Sequence, residues 1–132
     1  MASKDKRHLD KRFKVARYEF AQQSWANGET DALAPVLYDL NGTIKAIEVV
    51  VSDATNGITV TVALTSENTT ALYSKASIAE NATTWLDSDS SKGTRDADFN
   101  PIPVNGNITA TITPSGDPGT SGVTVDVILY LE

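Results

Sequence analysis

The stretch Val123-Thr-Val-Asp-Val-Ile-Leu-Tyr-Leu131 decides the fold class. Its odd positions are Val123, Val125, Val127, Leu129 and Leu131. Its even positions are Thr124, Asp126, Ile128 and Tyr130. Side chains alternate across a strand, so one face is wholly apolar and the other mixed. A helix would scatter the five apolar residues around its circumference. Asn107 to Thr113 repeats the pattern, with Ile108, Ala110 and Ile112 against Asn107, Thr109, Thr111 and Thr113. The Pro- and Gly-rich run from Pro114 to Gly122 is a loop by composition, joining the two strands as a hairpin or as a connection between sheets.

Upstream, Gly57 to Thr65 alternates Ile58, Val60, Val62 and Leu64 with Thr59, Thr61 and Ala63. Thr43 to Ser52 carries apolar residues at both parities, which fits a bulge near Lys45-Ala46 or a strand covered on both faces. Asn56-Gly57 between them reads as a type I′ hairpin turn. The Asn-Gly pairs at Asn27, Asn41 and Asn105 also fall between expected strands. Weaker candidates are Thr70 to Ile78, Ala82 to Leu86 and Leu33 to Asp39, the last confined by Pro35 to an edge or an end. Leu9, Phe13, Ala16 and Phe20 recur at helical spacing, yet Phe, Val and Tyr favour a strand from about Phe13 to Gln22. Seven or eight short strands without any βαβ pattern predict an all-β antiparallel sandwich, jelly-roll-like.

The 132 residues suit one domain, here residues 13–132, preceded by an extended arm at residues 1–12. The net charge of −6 hides a split. The first 20 residues hold Lys4, Lys6, Arg7, Lys11, Arg12, Lys14 and Arg17 against Asp5, Asp10 and Glu19, a net of +4. The other 112 hold four bases against 14 carboxylates, a net of −10. An acidic body argues against nucleic acid as partner, because phosphate contacts need Lys and Arg. A basic arm on such a body can touch an acidic partner or another copy of the body. The rival reading is a solvated tail.

The remaining chemistry is thin. With no Cys and one His, thiolate zinc sites, Cys nucleophiles and multi-histidine centres are excluded. His8 lies in the arm, without the rigid setting a catalytic base needs. Asp87, Asp89, Ser91 and Asp98 mimic a calcium loop, but Lys92 stands where that loop requires Gly and Asp98 where it requires Glu. The segment reads instead as a solvated loop, with a cation site of another oxygen-ligand type as the alternative. Trp25, Trp85 and Tyr130 are candidate interface aromatics, with sugar stacking as the alternative. Ile128 shares Tyr130's outer face and could pack with it against another subunit. Four sequons, at Asn41, Asn68, Asn81 and Asn107, read as chance in a chain whose first residues carry no apolar signal segment. No apolar stretch approaches the ~20 residues of a membrane helix. No phosphate loop and no nucleophile elbow occurs. The expectation is a non-enzymatic protein with no cofactor, no catalytic residue and no metal site.

Trp25-Ala-Asn-Gly28, Asn41-Gly-Thr-Ile-Lys-Ala-Ile-Glu-Val-Val-Val51, Ile58 to Leu64, Pro101-Ile-Pro-Val104 and the two closing strands together form a pattern that resembles small virion proteins of tailed bacteriophages. Residues 13–131 are most similar to the β-sandwich decoration, or cement, proteins of phage capsids. The resemblance implies a homotrimer on the outside of an icosahedral head, bound to the major capsid protein. It implies an arm that reaches neighbouring subunits, here through Lys4, Lys6, Arg7, Lys11 and Arg12. A tail or fibre component, or a carbohydrate-binding module, is the alternative.

Overall fold

The computed structural model describes residues 15–87 and 99–132. The arm bases Lys4, Lys6, Arg7, Lys11 and Arg12, together with His8, lie outside them, as do Asp89, Ser91 and Asp98 of the calcium-like segment.

Among the described residues the chain forms eight strands and no helix. They are β1 (Ala16–Glu19), β2 (Gln23–Trp25), β3 (Val36–Val51), β4 (Thr59–Ser66), β5 (Ala71–Ala79), β6 (Ala82–Leu86), β7 (Ile102–Pro114) and β8 (Val123–Leu131). Every pairing is antiparallel. The hydrogen-bonded path runs β1-β8-β3-β7-β4-β5, with β2 also on β8 and β6 also on β3.

The 16-residue β3 makes the architecture, because it serves both flanks. Its first half, Val36 to Ile44, pairs with β7, while Ile47 to Val51 pairs with β6 on the same edge. The opposite edge pairs with β8 from Ile44 to Val51. One flank is therefore β1/β2, β8, the second half of β3, and β6. The other is the first half of β3, then β7, β4 and β5. The apolar faces of both flanks supply one buried cluster, including Ile47, Val49, Val127 and Leu129 from the first and Val60, Val62, Leu64, Ile108 and Ile112 from the second. This is the expected all-β, jelly-roll-like sandwich. Alternation in β4, β7 and β8 assigns their residues in this cluster, and each buried Val, Leu or Ile side chain contributes about 1.5–3 kcal/mol.

Several local expectations need correction. Leu33 to Asp39 and Thr43 to Ser52 are not separate strands, and Asn41-Gly42 is not a turn. From Val36 to Val51 both are parts of β3, Leu33 makes only an isolated bridge with Ile112, and Asn41 lies opposite Asn105 in the β3–β7 ladder. Two Asn-Gly pairs thus face each other inside strands. The conformational freedom expected of a turn serves a bulge instead. The register shifts between Leu37 and Leu40, Asp39 takes φ 57°, and Gly106 takes φ 117° opposite Leu40. The side chain of Asn107 completes the bulge by accepting the Asp39 N–H at 3.0 Å.

Asn56-Gly57 does not close a hairpin either. β3 and β4 do not pair, so this segment crosses between the flanks, and the Asn56 N–H reaches the Pro118 carbonyl at 2.9 Å. The β7–β8 loop is likewise an inter-sheet connection. The bulge near Lys45-Ala46 is present as a register shift between Ile44 and Ala46. Where described, the N-terminal segment is extended rather than helical, broken into β1 and β2 around the buried Phe20.

One end of the sandwich is closed by three loops gathered on Asp117. Its carboxylate accepts the N–H of Gly28 at 2.8 Å and of Gly119 at 2.9 Å. These amide bonds, Gly119 foremost and then Gly28, hold the carboxyl below the ordinary carboxylate range. A depressed folded pKa contributes stability that is present above the unfolded value of about 3.9 and lost as pH falls through the folded one. The thermal midpoints of the wild type and Asp117→Asn should therefore differ most near neutrality and converge below about pH 4. A constant gap from pH 6 to pH 2.5 would remove the ionic role.

Candidate interaction surface

The root of the basic arm is well placed in the fold. β1 is the outermost strand of its flank, with Ala16 opposite Leu131 and Glu19 opposite Ile128. Its four residues are exposed, and Val15 and Tyr18 are 38 % and 37 % exposed. The arm therefore joins the body at an open sheet edge, beside the end of β8.

The outer face of this flank follows from register. Tyr130 sits between Arg17 on β1 and Ala46 on β3. The next row runs Glu19, Ile128, Glu48, Trp85 across β1, β8, β3 and β6. The one after it contains Asp126, Val50 and Thr83. Two of the three candidate aromatics meet here. The Trp85 and Tyr130 rings lie 4.9 Å apart at 45°, within the range of a favourable aromatic pair. The Tyr130 hydroxyl donates to Glu48 Oε1 at 2.8 Å, and Trp85 Nε1–H donates to Asp87 Oδ2 at 2.6 Å.

Carboxylates dominate the polar groups of the face. Glu19 takes Arg17 at 3.2 Å, and Asp126 accepts both contacts from the Gln22 amide, at 3.0 and 3.2 Å. The Arg17 guanidinium is held above its usual value, first by its hydrogen bond with Tyr130 and then by Glu19. Burial pushes the Tyr130 hydroxyl up, and Glu48 adds to this while Arg17 opposes it. The phenol therefore stays protonated at neutral pH and keeps its donor role toward Glu48.

The other candidates fare differently. Trp25 is 3 % exposed and belongs to the core, with Nε1–H donating to the Asp31 carbonyl at 2.7 Å. It offers no face to a subunit or to a sugar. Two shallow clefts of about 320 Å³ and 310 Å³ open beside it, lined by polar residues such as Ser24, Glu29 and Ser121. Ile128 does point to the outer face, but at 2 % exposure it has no surface left for another subunit. Among the described residues no group of three or more His, Asp or Glu is placed to hold a metal ion.

Glu48, Asp126, Glu19 and Arg17 escaped the sequence reading. Glu48 lies in a stretch apolar at both parities and Asp126 on a mixed face, and only the register between distant strands shows that these residues adjoin. Asp117 gave no signal beyond its place in a turn-rich loop.

The described body holds three bases (Arg17, Lys45 and Lys75) against twelve carboxylates, a net of −9. The acidity expected of the body is thus a property of the folded part, and much of it faces outward.

No protein-family model and no curated protein matches the chain. Among solved structures it is similar to the SPBc2 prophage-derived protein YomS, at 11 % identity over 88 % of this chain and 92 % of that one, with a TM-score of 0.45. The capsid asymmetric unit of cyanophage Pam1 gives 19 % identity over 89 % and 85 %, with a TM-score of 0.42. The C-terminal CBM6 of LamC, a laminarinase from Zobellia galactanivorans, gives 12 % identity over 89 % and 99 %, with a TM-score of 0.48. Likenesses this remote carry no function to the chain, and its fold rests on its own strands and pairings.

Proposed function

We propose that this chain is a structural protein of a phage particle, a decoration protein that binds the outside of the head. Its body is a non-enzymatic sandwich, and its grip on neighbouring subunits, the major capsid protein among them, comes from Lys4, Lys6, Arg7, Lys11 and Arg12. The observation that carries the reading is the division of charge on the fold. A net −9 body has its polypeptide entering at an open edge strand, preceded by six bases and two acids in residues 1–14. The strand-and-turn resemblance of residues 13–131 to decoration proteins supports the same reading.

Many weak sites suit this arrangement. One interface of ordinary size gives ordinary affinity. A trimer engaging symmetry-related sites gains through effective concentration, without a new contact. Charge carried on an arm also makes the attachment sensitive to salt.

Co-sedimentation with phage heads lacking the protein tests the proposal. The wild type should pellet with shells, less so as salt rises. Neutralising the five arm bases together should weaken attachment by about tenfold or more at low salt and flatten the salt dependence. A quintuple variant that binds shells like the wild type at every salt concentration would refute the arm's role. Quenching of Trp85 fluorescence by glycans, with no shell binding, would favour a carbohydrate-binding module.

A further inference from the structure

We infer that the outer face of the β1–β8–β3–β6 flank is the seat for the basic N-terminal residues of a second copy of the chain. This rests on the reading of residues 1–12 as a gripping arm, and it names a surface that arm grips.

The face has the right charge. Glu19 and Glu48 flank Ile128 in one row, and Asp126 stands two residues along β8. Arg17 is the only base in these rows, and Glu19 already engages it. Each carboxylate has about four acceptor positions, so its single described partner leaves room for an incoming cation. In register, Glu19 and Glu48 are two strand spacings apart, about 10 Å, and alternate residues along β8 repeat at about 7 Å. The Trp85–Tyr130 pair adds aromatic surface, on which Lys and Arg side chains bind through stem and charge.

Strand direction favours a second copy as the donor. The polypeptide enters β1 at Ala16, opposite Leu131, where β8 ends. Glu48, Ile128 and Asp126 lie the other way, toward Val51 and Val125. A chain's own arm would have to reverse at Val15 and recross β8 to reach them. The arm of a neighbour needs no reversal. Residues 1–14 carry six bases against two acids, the complement of this face.

The test is self-association of the full chain by sedimentation velocity and native mass, without shells. The wild type should assemble, more weakly at high salt. Glu19→Lys, Glu48→Lys and Asp126→Lys combined should weaken assembly by about tenfold. Reversing Lys4, Lys6, Arg7, Lys11 and Arg12 to Glu should do the same. Mixing the two variants should restore assembly, because one supplies the arm and the other the face. Glu48→Gln, which can still accept from Tyr130, and Asp126→Asn, which can keep one of the two Gln22 contacts, should give a smaller loss and guard against misfolding. A monomeric wild type, a face variant that assembles normally, or a mixture that fails to recover would each overturn the inference. Rescue within one chain carrying both sets of reversals, as a monomer, would make the contact internal and overturn it too. Shell binding is read separately, so a chain that self-associates but ignores shells sinks the decoration reading alone.

Discussion

Replacing Leu129 by alanine should cost about 3 kcal/mol of stability, within the range of about 2–5 kcal/mol for such truncations in cores. Leu129 is fully buried on the inner face of β8, the strand that β1, β2 and β3 all pair with, and lies opposite Ile47. The side chain therefore sits where the edge strand and the long strand share one core. Removing it forfeits the transfer energy of the lost carbons and leaves a cavity that pleated neighbours fill poorly. Against a total stability of about 5–15 kcal/mol, that is a large fraction. The denaturant midpoint should fall while the slope stays unchanged. Val15→Ala, at an exposed position, should shift stability by no more than about 0.5 kcal/mol. Equal midpoint shifts for the two variants would contradict the assigned core.

The second large effect is expected at Gly122. It ends the β7–β8 loop at φ 66°, and a Cβ there would stand 2.6 Å from the backbone carbonyl oxygen of Trp25. Gly122 precedes Val123, which pairs with Trp25 in the β2–β8 ladder. The close approach is therefore what lets the loop deliver β8 to β2. Gly122→Ala combines the left-handed backbone cost of about 1–2 kcal/mol with a clash that only a backbone shift relieves, for a total of about 2–4 kcal/mol. Gly28 separates the two contributions. It has φ 89°, but a Cβ would meet nothing within 4 Å, so Gly28→Ala should show only about 1 kcal/mol. Thermal midpoints of the three proteins decide this. A Gly122→Ala loss no larger than that of Gly28→Ala would mean the clash is relieved freely.

The strands that could be read from sequence were those with one apolar face. β8, β7 and β4 each alternate, with Ile128 the buried exception on the outer face of β8, because each lays one face on the core. β3 was harder, and for a physical reason. It crosses from one flank to the other and bears bulges, so its parity changes along its length. Its Asn41-Gly42 carries a turn signature at a site where conformational freedom is used inside a strand. Asn-Gly records that freedom, not the use to which the fold puts it.

The candidate surface divides in the same way. Tyr130 and Ile128 were legible as outward-facing, since parity is a local property. Their fates were not, because burial of Ile128 depends on what stands beside it across three strands. Trp25 and Trp85 looked alike as isolated aromatics, yet one went into the core and the other onto the outer face.

The sequence by itself determined an all-β chain and a division of charge between its first residues and the rest. Both are properties of neighbouring residues, set by the two-residue repeat of a strand and by simple addition of charges. Only the tertiary structure decided which strands pair, that β3 serves both flanks, and that Glu19, Glu48, Asp126, Trp85 and Tyr130 share one face. Those depend on register between segments up to about a hundred residues apart, which the packing of a shared core fixes and no local pattern encodes.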